Sequence, residues 1–435
     1  MVALASNIFT FQTYFALAIF VLAFSFIISE KLPNAVAAMM GGFLLLAFHI
    51  IDQEDAVEYI DFDTIGLLCG MMITVAVLRK SGLFEYIAIK GVKITKGNPW
   101  KILVVLSIVT GVLSAFLDNV TTVLIIVPLT FAVADTIKIN PTPILFSEIL
   151  FSNIGGAATL IGDPPNIMIG GATHLQFMDF IIVNGPVILI VSVVTIFILR
   201  LIYYKKLTSI QVDTARLMAF DEKRTIPDKT MFIQSMVVFT LIIVAFVTQH
   251  VHQVSLASIA LGGGFLMIMV TRQHPEEILK EVEWPTLFFF AGLFVIIGGL
   301  EKTGVISMVA DKMISATNNQ MGLATQLVLW VSAMCTVFIN SIPYTATMIS
   351  VIKDIGEITT GNIDPLWWAL SLGACLGGNA STIGAAANII VAGFTQKTAW
   401  PIKFGQYFKV GFPLMLVSVI IVSVYLHLVF FFWGS

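Results

Sequence analysis

Long apolar runs are the feature that most constrains how this chain can fold. About 20 apolar residues suffice for a helix to cross a bilayer, and eight runs reach or approach that length: 11–29, 33–51, 62–79, 180–203, 231–249, 254–271, 284–300 and 405–432. Charged residues make up only 11% of the 435 positions, against about 25% in soluble domains. The sequence therefore predicts an all-α polytopic membrane protein. Its charges are spread over short loops and predict no nucleic-acid partner.

Two further regions, 102–170 and 323–395, are apolar but interrupted by Gly, Pro, Asn and Asp. Irregular backbone at membrane depth is tolerated only where it is buried in protein or lines a cavity. We interpret 102–135 and 324–357 as re-entrant helical hairpins, and 143–179 and 365–401 as crossings whose helix is broken halfway. This gives about 10 membrane crossings plus two hairpins.

The distribution of basic residues supports this arrangement. It places 20 of the 23 Lys and Arg residues on one side of the membrane and three on the other. Cytoplasmic loops carry the excess of Lys and Arg. The sequence thus predicts a multi-pass protein of the plasma (inner) membrane, with loop 204–230 cytoplasmic and both termini outside. Trp367 and Trp368 suggest an aromatic belt at the membrane interface.

The two halves of the chain are related by an internal repeat. FDTIGLLCGMMITVAVLRKSG matches WPTLFFFAGLFVIIGGLEKTG, FLDNV matches FINSI, and GGAATLIGDPPN matches GGNASTIGAAAN, each at an offset of 222 residues. An odd number of crossings per repeat makes the second copy enter upside down. We therefore expect two inverted-topology repeats, 1–203 and 231–435, joined by a cytoplasmic linker, 204–230. Such repeats are typical of secondary transporters, which bind substrate near the midplane between broken helices.

The first repeat carries the acidic groups. Asp118 and Asn119 fall at the tip of the first hairpin, and Asp163 falls at the first break, before a proline pair. A carboxylate at the bilayer centre costs roughly 3 kcal/mol on insertion scales, so it requires a proton, a cation or an internal partner. Asp118 is also placed to cap the returning helix. Glu148, inside the broken helix, is a candidate proton relay. The predicted proton- or cation-coupling residues are Asp118, Asn119, Asp163 and Glu148.

Neutral groups replace these acids in the second repeat, where Asn340-Ser341 matches Asp118-Asn119 and Ala385 matches Asp163. The candidate substrate-binding residues are Asn153, Gly162, Pro164, Asn166, Asn340, Ser341, Asn379, Ser381, Thr382, Gly384 and Asn388. Na⁺ could bind at Asp118, Asn119, Gly162 and Asp163, but an aspartate could equally carry H⁺, so both coupling ions remain open. We expect no cofactor.

These motifs resemble those of a known group. DNVTT with IGGAATLIGDPPN, and IPYTATM with LGACLGGNASTIGAAANII, are similar to the melanosomal P-protein group and related bacterial permeases. That group belongs with the arsenite/antimonite efflux (ArsB-type) permeases in the ion transporter superfamily, which also contains citrate and sodium-dicarboxylate carriers. The resemblance spans about 10–430. It implies a homodimer in which a mobile transport region moves like an elevator against a scaffold.

The hairpin tips depart from these relatives. Dicarboxylate carriers of the superfamily have Ser-Asn-Thr at each tip, and P-protein-like sequences usually have Asp-Asn at the second. Here the tips read Asp118-Asn119-Val120 and Asn340-Ser341-Ile342. The departure disfavours a carboxylate-based second cation site and sodium-dicarboxylate symport.

The leading functional interpretation is a proton- or cation-coupled antiporter that exports arsenite or antimonite. In this interpretation As(OH)₃ enters as a neutral polyol that contacts Asn and Ser groups, while Asp118 and Asp163 exchange protons. A sodium- or proton-coupled carrier of a small carboxylate or other anion is the alternative, and an anion channel is the alternative of another class. The sequence contains no HExxH, GxSxG or P-loop motif. It predicts neither an enzyme nor a self-contained ATPase, and a soluble ATPase partner is implied only by the resemblance. The expected partners are a small ion substrate and membrane lipid.

Overall fold

The computed structural model describes residues 11–29, 31–208, 222–359 and 361–432, and every regular element in these ranges is helical. Part of the predicted linker 204–230 lies outside the described residues. Besides short 3₁₀ segments at Glu222–Thr225 and Gly378–Ala380 and a π-helical end at Leu428–Phe432, the helices are α1 Phe11–Ser29, α2 Asn34–Ala47, α3 Gln53–Tyr59, α4 Phe62–Lys80, α5 Leu83–Ile94, α6 Pro99–Ser114, α7 Asn119–Ile137, α8 Thr142–Gly156, α9 Pro164–Ala172, α10 Phe177–Thr208, α11 Lys229–Val247, α12 Gln249–His252, α13 Leu256–Thr271, α14 Pro275–Leu279, α15 Trp284–Lys302, α16 Val305–Ala316, α17 Met321–Cys335, α18 Ser341–Ile358, α19 Asp364–Gly377, α20 Ala386–Thr395 and α21 Phe404–His427.

Within the described residues, seven helices are long and apolar enough to cross a membrane, namely α1, α4, α7, α10, α11, α15 and α21. Shorter apolar helices accompany them, among them α2, α6, α13, α17 and α20. Counting α8–α9 and α19–α20 as one broken crossing each, the described helices form ten crossings, with α6–α7 and α17–α18 as the two hairpins. The protein is therefore the all-α polytopic membrane protein that the sequence predicts.

The repeat extends through the helices from α2 to α9, whose mates are α13 to α20 at the same offset. It is also visible in how the halves pack, because α2 packs against α15 while α13 packs against α4. A Cβ on Gly70 would lie 2.3 Å from the Ala260 carbonyl carbon, and one on its mate Gly292 would lie 2.5 Å from that of Ala38. Small residues at such crossings let helix backbones approach closely, as is common inside membranes. The two halves are thus related by a pseudo-two-fold arrangement.

The sequence interpretation missed one matched pair of elements. The short helices α5 and α16 each have one apolar and one polar face, which is typical of helices that lie along a membrane surface. Each begins after a glycine with positive φ, 78° at Gly82 and 74° at Gly304. A Cβ on Gly82 would also collide with the Thr225 carbonyl oxygen. Glycine is therefore required at that turn.

Both hairpins reach into the protein interior. Helix α6 packs against α8 and α17 packs against α19, so each hairpin lies beside the broken helix of its own repeat. The second half of each broken helix packs against the other repeat, with α9 on α18 and α20 on α7. This exchange brings both tips and both breaks to the centre of the molecule.

The prediction that Trp367 and Trp368 belong to an aromatic belt at the membrane interface was wrong. Trp367 and Trp368 are only 3% and 2% exposed. Trp368 packs edge-on against Phe180, with 5.0 Å between ring centroids. The reason is that every residue of α19 from Pro365 onward is buried among neighbouring helices, so this helix has no side that faces lipid.

Candidate functional site

The two breaks are stabilised by the asparagines that the repeats share. Asn166 Nδ2 donates to the Thr159 carbonyl oxygen at 2.9 Å, and more weakly to that of Gly156 at 3.4 Å. Its mate Asn388 donates to the carbonyl oxygens of Gly378 and Ser381, both at 2.7 Å. Buried carbonyls freed by a helix break need such partners. These asparagines therefore stabilise the two helix breaks by donating to the carbonyl oxygens that the breaks leave without helical partners.

One glycine in each break, Gly162 and its repeat mate Gly384, lets the backbone segments around the break approach closely. A Cβ on Gly162 would lie 2.6 Å from the carbonyl oxygens of both Ser114 and Gly156. On Gly384 it would lie 2.6 Å from the Thr336 carbonyl oxygen and 2.8 Å from that of Gly378. Real Cβ atoms do not approach backbone oxygens this closely, so both positions exclude side chains.

An amide network joins the two repeats at the centre. Asn153 donates to the side-chain oxygens of Asn379 and Asn388, each at 3.0 Å, and accepts from Asn119 at 3.2 Å. The mate of Asn153 is Cys375, whose thiol contacts the Asn166 side-chain oxygen at 3.6 Å. Each broken helix thus contacts the shared asparagine of the other repeat.

The two aspartates have different surroundings. Asp118 caps α7, accepting from the Thr121 backbone N–H at 2.8 Å and from its hydroxyl at 2.5 Å. Asp163 precedes α9 in an extended conformation and accepts from Asn119 Nδ2 at 3.2 Å. Asp163 is only 2% exposed, and its backbone begins a helix without a capping bond from its own side chain. The Asp118 side chain caps a helix, whereas the Asp163 side chain accepts from the Asn119 amide and lies beside the Cys375 thiol.

A central cavity of about 290 Å³ lies where the tips and breaks meet. Its lining residues come from α4, α7, α9, α15, α20 and both tips, and include Leu68, Met71, Asp118, Asn119, Asp163, Pro164, Ile167, Glu283, Thr286, Asn340, Ser341 and Ala386. Three of the lining side chains are carboxylic acids, and none is Lys, Arg or His. The rest of the wall is mainly apolar. The cavity is suited to a small solute that tolerates or requires acidic groups.

The central cavity continues toward one surface. A groove that also borders Met72, Leu124 and Glu283 leads to Arg79 and Glu281, which form a partly exposed ion pair. This is the surface to which the sequence assigns most basic residues. On the opposite side lies a separate cavity of about 220 Å³, lined by Asp61, Gly171, Glu301 and Lys353 among others, which shares no lining residue with the central one.

The structure divides the predicted site residues into three groups. Those in the wall of the central cavity are Asp118, Asn119, Asp163, Pro164, Asn340 and Ser341. Those at the breaks and in the amide network are Asn153, Gly162, Asn166, Asn379, Ser381, Gly384 and Asn388. Thr382 is buried beside the second break. Their binding and coupling roles remain predictions.

Glu148 lies apart from the cavity wall. It is fully buried on α8, and one of its oxygens accepts a hydrogen bond from Thr130 while the other has no partner among the described residues. Among all the described residues, no three His, Cys, Asp or Glu side chains are grouped as a metal site would need. The Na⁺ site suggested at Asp118, Asn119, Gly162 and Asp163 would therefore rest on carbonyl and amide oxygens as well as carboxylates.

Sequence reasoning missed one acidic residue of the cavity, Glu283. It precedes α15 and accepts a hydrogen bond from Thr286 at 3.1 Å. Its repeat mate is Asp61, which precedes α4 and accepts from Thr64. The repeat alignment already paired Thr64 with Thr286, so the acid three residues before each threonine was a signal that could have been used.

Hairpin tips, broken helices and a midplane cavity define a membrane transporter. A sequence profile described as CitMHS, citrate transporter, matches residues 24–373, and the chain belongs to this family. The family is one of secondary transporters, so the protein is not an enzyme.

Relatives agree with this assignment. An uncharacterized transporter of Mycobacterium tuberculosis is 38% identical over 425 residues, which cover 96% of this chain and 98% of the relative. P protein of Mus musculus is 32% identical over an alignment that covers 95% of this chain and 60% of P protein. The predicted resemblance to the P-protein group is confirmed.

A solved structure has the same fold. The YdaH transporter of Alcanivorax borkumensis, described as having an unusual topology, superposes with a TM-score of 0.62 and covers 98% of this chain and 99% of its own. At 13% identity, this similarity concerns the fold alone.

Proposed function

We propose that the protein is a proton- or cation-coupled secondary transporter of the inner membrane whose substrate binds in the central cavity between the two hairpin tips. Asp163 and Asp118 carry the coupling ion, and Asn119, Asn340 and Ser341 contact the substrate. The observation that carries the proposal is the composition of the cavity wall: three carboxylic acids and no basic side chain among its described residues.

This wall favours a neutral solute exchanged for the coupling ion. An anion entering alone would meet like charge in a region of low dielectric. The trihydroxides of arsenic and antimony are neutral near pH 7, small compared with 290 Å³, and rich in hydroxyl groups that amides can bind. Export of arsenite or antimonite by antiport is therefore the first candidate function.

A small carboxylate is the second candidate, because the family profile is described as that of a citrate transporter. To enter this cavity a citrate anion would need its charge compensated by protons or by a bound cation. The two candidates thus differ in a measurable way. Citrate would need protons or a cation bound together with it in the cavity, whereas neutral arsenite would need the coupling ion only as the ion exchanged in the opposite direction.

The transport cycle is proposed to be an elevator-like movement of the hairpins and broken helices against α1, α2, α4, α11, α13 and α15, in a homodimer. We assign the structure to the state of this cycle in which the central cavity communicates with the basic surface, which the sequence predicts to be cytoplasmic. Support comes from the groove toward Arg79 and Glu281 and from the separation of the cavity beside Asp61.

Flux into proteoliposomes tests the proposal. The purified protein is reconstituted and assayed with arsenite, antimonite, citrate and citrate plus Mg²⁺, each with an imposed H⁺ or Na⁺ gradient. Uphill movement of one solute on one gradient, absent from protein-free liposomes, is the expected result. Single-channel openings in planar bilayers, with no gradient-driven uphill flux, would replace the carrier by a channel.

A further inference from the structure

Asp61 and Thr64 lie against Gly171 of α9, and we term this the Asp61 contact. It joins two groups of helices, which are the hairpins with the broken helices and an outer group of α1, α2, α4, α11, α13 and α15. Asp61 accepts from the Thr64 backbone N–H at 3.0 Å and from its hydroxyl at 2.6 Å at the start of α4. Helix α9 lies directly on this cap. A Cβ on Gly171 would be 2.5 Å from Asp61 Oδ2 and from the Thr64 hydroxyl oxygen.

The repeat mates, Glu283, Thr286 and Gly393, form the equivalent position, which we term the Glu283 position. Glu283 and Thr286 keep their hydrogen bond and line the central cavity. The glycine, however, does not contact them, since a Cβ on Gly393 would have no neighbour within 4 Å. An acid, a threonine and a glycine are thus in contact in one repeat, whereas in the other the glycine lies apart from the acid and the threonine.

The asymmetry extends to whole helices. Helix α4 packs against α9 and α15 packs against α18, whereas the mates of these contacts, α15 with α20 and α4 with α7, are absent from the well-packed pairs. All four contacts join the outer group of helices to the hairpins and broken helices. The two extensive contacts lie beside the Asp61 contact, and the two helix pairs without an extensive contact border the central cavity and its groove.

The cavities repeat this relationship. Nearly every residue that lines the groove beside the Glu283 position has its mate in the separate cavity beside the Asp61 contact, with Met72 matching Phe294 and Glu283 matching Asp61. One of the pair is continuous with the central cavity and the other is separated from it. Two halves with the same architecture therefore differ in one structure: the space beside the Glu283 position is open to the central cavity, and the space beside the Asp61 contact is not.

We infer that the Asp61 contact and the Glu283 position are a pair of alternating seals, of which the first is closed here. In the opposite state Gly393 rests on Glu283 and Thr286, α7 packs against α4, and Gly171 leaves Asp61. The inference rests on the proposed transport function and names the residues that close each side. Because the repeats are equivalent, the second state uses contacts whose geometry is already present in the first.

Disulfide cross-linking tests this without a known substrate. In a Cys69→Ala, Cys335→Ala, Cys375→Ser background, one variant carries Asp61→Cys with Gly171→Cys and another carries Glu283→Cys with Gly393→Cys. Thr64→Ala and Thr286→Ala are added to the respective variants, because the Thr64 hydroxyl would otherwise meet the new Cβ at position 171. Asp61→Cys with Gly393→Cys serves as the control pair of residues on opposite sides. A disulfide requires Cβ atoms roughly 3.5–4.5 Å apart. We expect the first pair to cross-link at least about tenfold faster than the second, because a minor state is commonly populated at about 10% or less, and the control pair not to cross-link.

A steric wedge then shifts the equilibrium. Gly171→Leu cannot fit against Asp61, so it opens the closed seal and should accelerate cross-linking of the Glu283–Gly393 pair about tenfold. Gly262→Leu is the matched control, because Gly262 has no neighbour within 4 Å of its Cβ position, and it should change nothing. If Gly171→Leu fails to fold, Gly171→Val, with a smaller branched side chain, serves as the wedge.

Equal cross-linking of the two pairs in the resting protein, or no effect of the Gly171 wedge on a folded variant, would overturn the inference. The outcome is independent of the flux assays. A chain that switches seals but moves none of the tested solutes would contradict the proposed function and leave the seals intact, whereas uphill flux with the Asp61–Gly171 pair permanently cross-linked would contradict the seals and leave the transport function standing.

Discussion

Asn153 donates a hydrogen bond to Asn388 across the repeat boundary, at 3.0 Å, in a position where both side chains are fully buried. The equivalent contact in the other direction, from Cys375 to Asn166, replaces an amide by a thiol. The two broken helices are nevertheless joined by strong contacts in both directions, because Ser371 of α19 also donates to Asn166, at 2.6 Å. In the first direction the contact belongs to the same Asn153 that also accepts from Asn119 at the first hairpin tip.

Replacing Asn153 by alanine should destabilise the protein by about 1–3 kcal/mol, because it leaves buried amide oxygens without donors. Thermal melting in detergent would show this as a lower midpoint. Ser235→Ala is the matched control: the Ser235 hydroxyl is buried without a hydrogen-bond partner among the described residues, so its removal should cost little. Equal midpoints for the two variants would contradict the role given to the network.

Asp163→Asn should preserve the fold and abolish coupling. The new amide oxygen can still accept from Asn119, but the side chain can no longer exchange a proton or balance a cation. Gradient-driven flux in proteoliposomes is the measurement, and Asp179→Asn, at the distant start of α10, is the control. Uphill transport by a correctly folded Asp163→Asn protein would exclude Asp163 as the coupling group.

Gly162→Ala should lower stability by about 1–3 kcal/mol, because the added methyl group meets backbone oxygens that cannot move independently. Gly384→Ala should behave alike, since its surroundings are equivalent. Gly405→Ala is the control, as nothing lies within 4 Å of its Cβ position. Melting midpoints of the three variants give the test, and a midpoint for Gly162→Ala as high as for Gly405→Ala would contradict the packing at the first break.

The membrane orientation can be checked by labelling single cysteines in intact cells with an impermeant reagent. His252→Cys, at the exposed end of α12, should react from outside, and Lys96→Cys, exposed after α5, should not. Labelling after permeabilisation controls for the reactivity of each site. The reverse pattern would place the basic surface outside.

The ion pair between Asp55 and Lys302 allows a prediction about pH. The Lys302 ammonium group lowers the pKa of Asp55 below its usual 3.8. A lowered pKa in the folded state means that the stabilisation is complete above pH 3.8 and is lost as pH falls through the folded-state pKa. The melting difference between wild type and Asp55→Asn should thus be small and constant from pH 8 to 5 and vanish in stronger acid. A difference that grows on acidification would contradict the pair.

Much of the architecture follows from the sequence, because broken apolar runs and a repeat at constant offset leave few alternatives. The 222-residue offset predicted the hairpins and breaks that the helices show. The sequence could not distinguish residues that line the cavity from residues that stabilise the helix breaks. Asn166 and Asn340 look equally suited to bind a substrate, yet Asn166 stabilises a break while Asn340 lines the cavity. That distinction depends on which face of a short helix points inward.

Other features were beyond the sequence for the same physical reason. Glu283 reads as a loop residue until the start of α15 is placed against the hairpin tips. The difference between Gly171 and Gly393 is invisible in any alignment, because both residues are glycine and only their surroundings differ. Symmetry in the sequence could predict equivalent positions but not that one state would make them unequal.

The exchanged packing of α2 on α15 and of α4 on α13 has a consequence for how the chain is made. Helices of the first half are synthesised and inserted well before the partners that cover Ala38 and Gly70 leave the ribosome. Until then their close-contact surfaces face lipid or other chains. Neither half can complete its interior alone, so the final assembly step must wait for the second half, and a truncated first half would present an unfinished surface to the membrane's quality-control proteases.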